Sequence, residues 1–452
     1  MATHCGADSA FPYPIIENDI DGDPTPKDQA IYVPSVSAGY ARDAIGRAGL
    51  RAMPDHLPKN LLNFLDQTNE VFRISHAMAS AGQFLGRNAP SMISTRDRKR
   101  TRIIGDSGGY QLATGKGNEL ATGKFKIEHD GDRMRVLRWL EDNADIAMTL
   151  DWPPGGIGKP NFPFTSTGQC LEATIQNLEF FHKHRRQDRG TIFLNVIQGT
   201  TPQESVDWYK AVRIYPFEGW AVAGVLRNDI YHLCRLIILM HEDGELDGKR
   251  WFHVLGTSEP GTAVLLTALQ RAVKRHLGHN IRFSFDTSTP FRLLVANQAL
   301  GLPVFTQGKL GIEQVDAPCG SRFIGKQLGW PFSNLVDDGI TLADMHVSRP
   351  PPNTTQRDTL GNHLLALQNL RALCFAIFSA NRRFDVELIT GKHTVGVNEG
   401  RAVAAIDRIM QASNKMNALH QHASWFHPNL RKSYDPTTAD EDRDFDDGYG
   451  GS

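Results

Sequence analysis

Arg102-Ile103-Ile104-Gly105-Asp106-Ser107-Gly108-Gly109-Tyr110-Gln111 runs from a short apolar stretch into a carboxylate, a small hydroxyl, two glycines and an aromatic. The apolar stretch is strand-like and Asp106 closes it. Glycines at such a place let the backbone come close to a flat ligand. Tyr110 offers a stacking face, while Asp106 and Gln111 offer hydrogen-bonding groups. A Gly-Gly turn after a buried strand is the plainer account of the same residues.

Further runs of the same kind follow. Residues 144–150 end at Asp151, 192–197 at Gln198-Gly199, 220–223 at Gly224, 251–255 at Gly256 and 281–285 at Asp286. Segments of helical character lie between them, at 168–184 and 202–215. Strands alternating with helices, with polar residues gathered at the strands' C-terminal ends, predict an α/β fold, a (β/α)8 TIM barrel. An open doubly wound sheet is the competing architecture, but no G-x-G-x-x-G follows the first strand. Apolar residues recur at helical spacing over 362–380 and 400–418, which predicts helices beyond the barrel. Pro350-Pro351-Pro352 marks the boundary. The expected organisation is a barrel over 1–348, a helical region over 349–432 and a disordered acidic tail over 433–452.

Taken together, these motifs resemble the tRNA-guanine transglycosylases. Asp106 to Gln111 is similar to the family's base-binding motif, and Leu150-Asp151 to its second base-binding aspartate. Val196-Ile197-Gln198-Gly199 resembles its V-Q-G, and Trp220-Ala221-Val222-Ala223-Gly224-Val225 its Y-A-(I/V)-G-G-L. His253-Val254-Leu255-Gly256 is similar to its Y-L-M-G. Phe285-Asp286-Thr287-Ser288-Thr289-Pro290-Phe291-Arg292 resembles the F-D-C-V-x-P-T-R that carries the family's nucleophilic aspartate. The order is the family's, and the resemblance spans roughly residues 74–292.

The resemblance implies exchange of a base at an N-glycosidic bond. Asp286 would attack or stabilise the oxocarbenium-like sugar carbon, and Asp106 would move a proton to and from the ring nitrogen of the exchanging bases. Asp151 would pair with the guanine N–H edge, and Gln198 and the Gly224 backbone with its carbonyl. Tyr110 and Leu255 would sandwich the ring, with Ser107, Gly108, Gly109 and Gly199 shaping the pocket. Arg96, Arg98, Lys99, Arg100 and Arg292 are the expected phosphate contacts.

The resemblance stops short of the family's zinc site. The five cysteines are Cys5, Cys170, Cys234, Cys319 and Cys374, with no C-x-C-x-x-C run, and Gln368 stands where the family's zinc histidine would be. The expectation is therefore no metal and no cofactor, with Cys319, His346, His363 and Cys374 as the ligands to test otherwise. Loss of the subdomain that zinc staples points to the superfamily's DNA-modifying branch (the DpdA type). The expected partners are DNA, a 7-deazaguanine base (7-cyano in the first place) and the proteins of a modification system. Action on tRNA is the alternative within the same chemistry. A non-catalytic nucleic-acid-binding barrel or accessory subunit is the third reading, against which both Asp106 and Asp286 speak.

Composition sets softer bounds. The chain has 452 residues, 40% hydrophobic and 22% charged, which suits a globular protein. Scattered cysteines and the lack of a long apolar run or a secretory leader suggest the cytoplasm. A formal net charge of -1 does not advertise a nucleic-acid binder, so phosphate would have to be met by local patches.

Overall fold

The computed structural model describes residues 26–46, 50–86, 89–109, 111, 129–160, 162–330, 339–348, 357–390 and 396–426. Tyr110, the prolines at 350–352 and the acidic tail lie outside the described residues.

Eight strands form one all-parallel sheet: β1 (Ile31–Pro34), β2 (His76–Ser80), β3 (Arg102–Asp106), β4 (Ile146–Met148), β5 (Ile192–Ile197), β6 (Gly219–Val222), β7 (Trp251–Val254) and β8 (Arg282–Thr287). Each pairs with its neighbour in sequence from β2 to β8, and β8 pairs with β1. The ring closes where Ser35 bridges Met78 in parallel and the Val36 N–H donates to the Met78 carbonyl at 3.0 Å. The protein is a (β/α)8 barrel.

A helix follows each strand in turn: α1 (Ala38–Asp43), α2 (Ala81–Phe84), α3 (Asp130–Asn143), α4 (Thr167–His184), α5 (Pro202–Val212), α6 (Ile230–Glu242), α7 (Pro260–Leu277) and the single turn α8 (Thr289–Arg292). Local chemistry fixes several starts. Ser166 caps α4, and Thr201 with Glu204 forms a capping box on α5.

Side chains alternate across each strand. Ile31, Val33, Met78, Ile104, Ile146, Met148, Leu194, Val196, Ala221 and Ala223 fill the barrel interior as one cluster. The intervening residues, among them Ile103, Phe193, Trp220, Phe252 and Phe283, pack outward under the helices.

After α8 the chain makes an antiparallel hairpin, β9 (Gln298–Thr306) and β10 (Lys309–Asp316). The short helix α9 (Leu342–Met345) precedes the long α10 (Thr359–Thr390). By composition α10 is long and apolar enough to cross a bilayer, yet 83% of its most apolar stretch is buried against protein. The periodic segment over 400–418 is two helices rather than one, α11 (Val397–Gln411) and α12 (Lys415–Gln421). Asn414 caps the second, and its side chain accepts the Asn417 N–H. Residues of α10 and α11 belong to the same buried cluster as the outer face of the barrel.

Trp220 reports on this packing. It is fully buried, sits 5.5 Å from the Tyr209 ring and donates its indole N–H to the Glu245 carbonyl at 2.9 Å. Trp220→Ala is expected to lower stability by about 3–5 kcal/mol, measured as a shift of the urea midpoint. A loss under about 1 kcal/mol would contradict a close-packed interface between β6 and α5.

Candidate active site at the C-terminal mouth

Six consecutive strands each bring one expected residue to the same mouth. Asp106 ends β3, Asp151 follows β4, Gln198 follows β5, Gly224 follows β6, Leu255 follows β7 and Asp286 stands near the end of β8. Asp106 shares the inward parity of Ile104, and Asp286 that of Ser284. Counting through the β1–β2 closure, β3 and β8 are three places apart in the eight-strand ring. The two carboxylates therefore face one another nearly across the opening.

Asp286 is held from two sides. Its Oδ1 accepts the Gly256 backbone N–H at 2.9 Å and lies 3.3 Å from His253 Nε2. His253 is fully buried, and its Nδ1 is 2.7 Å from Ser284 Oγ. Ser284 Oγ in turn accepts the Trp251 indole N–H at 2.6 Å. An indole can only donate, so the first link runs from Trp251 to Ser284, and the string continues through His253 Nδ1 and Nε2 to Asp286. His253 was not among the residues expected from sequence. It occupies the tyrosine position of the Y-L-M-G-like motif, and its one signal was the inward parity it shares with Trp251 and Leu255.

Asp151 and Gln198 are both buried and joined, with Gln198 Nε2 donating to Asp151 Oδ2 at 2.7 Å. One of the two Gln198 amide N–H groups is thus committed to Asp151. Burial, and then the Asp151 charge, push the nearby Cys170 thiol up to about 12. Ser107 is fully buried, and its Oγ has no hydrogen-bond partner among the described residues.

The glycines also have a packing role of their own. A β-carbon on Gly109 would fall 2.5 Å from the Asp151 carbonyl oxygen, so the β3 and β4 loops can touch only if this residue is glycine. Gly224, at φ +61, brings the β6 loop closer still to Gly199 on the β5 loop. These contacts set the loops against one another. Leu255 is buried with the barrel's interior cluster.

One expectation needs correction. Arg96, Arg98, Lys99 and Arg100 precede β3 and so stand at the barrel's other mouth. β3 crosses the barrel between them and Asp106, and four residues of strand span about 13 Å. The Arg96 side chain is only 2% exposed and is spent on Asp145 at 2.7 Å; Arg98 reaches the same carboxylate at 3.2 Å. Arg292, on α8 just past Asp286, is on the same side as the candidate site. Asp229 is the N-cap of α6. Its Oδ1 accepts the His232 N–H at 3.0 Å and its Oδ2 meets His232 Nδ1 at 2.7 Å. The buried Arg227 lies against Gly256, where a β-carbon would fall 2.8 Å from its Nη1.

Among the described residues no group of three or more His, Cys, Asp or Glu side chains is placed to hold a metal ion. His363 is paired with Asp43 at 2.9 Å and His346 with the Leu342 carbonyl at 2.7 Å. The chain matches no family model, and no curated protein matches it in sequence.

Removing the imidazole tests its service to Asp286. Loss of the imidazole leaves the buried Ser284 hydroxyl without its imidazole partner and Asp286 with one neighbour fewer, so His253→Leu is expected to lower stability by about 1–3 kcal/mol, measured as a shift of the urea midpoint. His253→Gln, which keeps a donor on a side chain of similar reach, should recover part of the loss. Unchanged stability in His253→Leu would mean that the string contributes nothing.

Proposed function

We propose that the protein is a pentosyltransferase that exchanges guanine in DNA for a 7-deazaguanine base through a covalent aspartyl–sugar intermediate. The observation that carries the reading is the pair of inward carboxylates, Asp106 and Asp286, facing across one mouth with the Asp151–Gln198 pair between them on the ring.

In this reading the ionised Asp286 attacks C1′ while the bond from C1′ to N9 of guanine breaks, and Asp106 gives its proton to the departing N9. The incoming base then loses its N9 proton to Asp106 and attacks C1′, and the aspartyl ester bond breaks to restore Asp286. The Gly256 N–H and His253 hold one Asp286 oxygen, which aims the other at the sugar. Asp151 faces the N–H edge of guanine, and the second Gln198 N–H its carbonyl. Reaching C1′ of a stacked nucleotide requires extruding it, at roughly a few kcal/mol. Arg292, on α8 just past Asp286, would offset part of that through a phosphate.

The buried Arg227 beside Gly256 favours a neutral substituent on the incoming base, such as a nitrile, over an ammonium. The choice of DNA over tRNA rests on the missing zinc ligands: Gln368 replaces the histidine, and the thiolate run is absent from the chain.

Incubation with labelled 7-cyano-7-deazaguanine and either duplex DNA or tRNA tests the reading, with any needed partner proteins supplied. Label is expected in DNA and should vanish with Asp286→Asn while nucleic-acid binding persists. Label in tRNA and never in DNA would transfer the assignment to tRNA, and an active Asp286→Asn would refute the nucleophile.

A further inference from the structure

Trp251 begins β7 with its ring and its indole N–H in different surroundings. The ring is half-buried and lines a cavity of about 1010 Å³ at the N-terminal mouth, 6.1 Å from the His76 ring. The N–H turns the other way, into the barrel, and donates to Ser284 Oγ at 2.6 Å. A half-buried indole can satisfy its one donor with water at the surface. This one is committed to a hydroxyl that is fully buried, which a ring serving only to plug the mouth does not require.

We propose that Trp251 is a positioning residue for Asp286, acting from the far mouth of the barrel through Ser284 and His253; the inference rests on the reading of Asp286 as the nucleophile. The strand register builds the path. Trp251 pairs with Arg282, and His253 with Ser284. The links therefore alternate. The step from Trp251 to Ser284 is diagonal, the step from Ser284 to His253 is direct at 2.7 Å, and the step from His253 to Asp286 is diagonal again at 3.3 Å. A diagonal step between strands is within reach of an aromatic side chain. An indole and an imidazole stand at the two diagonal steps, and the short serine at the direct one. At the end of the path Asp286 Oδ1 takes both contacts, from His253 and from the Gly256 N–H at 2.9 Å. Its Oδ2 has no hydrogen-bond partner among the described residues, and this is the oxygen left for the sugar.

Ser284 Oγ is the hub. It takes the indole N–H on one side and faces the imidazole on the other, so one χ1 rotamer of Ser284 serves both neighbours. Without the indole the hydroxyl is free to enter other staggered wells, and His253 Nδ1 loses a partner held in place. A buried network of this kind is worth more than its pairs taken singly. The reacting carboxylate is sensitive to such loosening, because a misplacement of about 1 Å costs on the order of a hundredfold in rate. Trp251 itself stands level with Arg282, four residues or about 13 Å of strand from Asp286, so its influence on that carboxylate travels through the two residues between them.

Trp251→Phe in the full chain tests the proposal, since it removes the indole N–H and keeps an aromatic ring in the cavity wall. Single-turnover exchange of labelled 7-cyano-7-deazaguanine into duplex DNA is expected to slow by about tenfold or more, with the DNA concentration at half-saturation unchanged. Ser284→Ala should slow it as well, and the double variant no further than Ser284→Ala alone, because the two losses share one path. Nitrogen-15 NMR of histidine-labelled protein gives a readout that needs no turnover, with the His253 ring signals identified by their disappearance in His253→Gln. Trp251→Phe is expected to shift those signals. Unmoved His253 signals, an unchanged exchange rate, or fully additive losses in the double variant would overturn the proposal. Shifted signals in a protein that exchanges no base into either nucleic acid would strike the proposed function and uphold the path from Trp251 to His253.

Discussion

A parallel strand in a closed barrel shows every second side chain to the interior and delivers its C-terminal end to one mouth. In β8 that rule sets Arg282, Ser284 and Asp286 in a column, and the β7 column of Trp251, His253 and Leu255 stands beside it. The string of hydrogen bonds from Trp251 through Ser284 and His253 to Asp286 follows from this register, in which His253 is the direct partner of Ser284. A buried polar group without partners is costly. Here every member of the string has one, so a polar column can cross an otherwise aliphatic interior and terminate on the candidate nucleophile.

In β3 and β8 the same geometry sets Arg102 and Arg282 where the strands begin and Asp106 and Asp286 where they end. Around the first mouth the loops are locked to one another by contacts too close for any side chain, as at Gly109 against Asp151 and Gly224 against Gly199. Rigid loops of this kind hold the Asp151–Gln198 pair in place and spare those two side chains the entropy of ordering on binding.

Much of this was legible in the residues. The six strand-like runs ending in Asp106, Asp151, Gln198, Gly224, Gly256 and Asp286 are β3 to β8, and the barrel follows from them. β1 was not legible, because Ile31–Pro34 is four residues long and ends in a proline. Nor was the hairpin of β9 and β10, whose outer residues are exposed and mix polar with apolar. The arginines before β3 misled because adjacency along the chain hides that a strand crosses the whole barrel: Arg102 and Asp106 are neighbours in sequence and lie at opposite mouths. His253 was hidden because a histidine in an apolar run gives no sign of its partners until the neighbouring strand supplies Ser284 and Asp286.

What remains to be seen is a bond. The protein should be quenched in acid during turnover on guanine-containing duplex DNA, digested with protease and nuclease, and read by peptide mass spectrometry. The account expects a deoxyribose-linked adduct on the peptide that carries Asp286, absent when the labelled base is supplied in excess and allowed to complete the exchange. An adduct on Asp106, or sustained exchange with no adduct at any carboxylate, would contradict it.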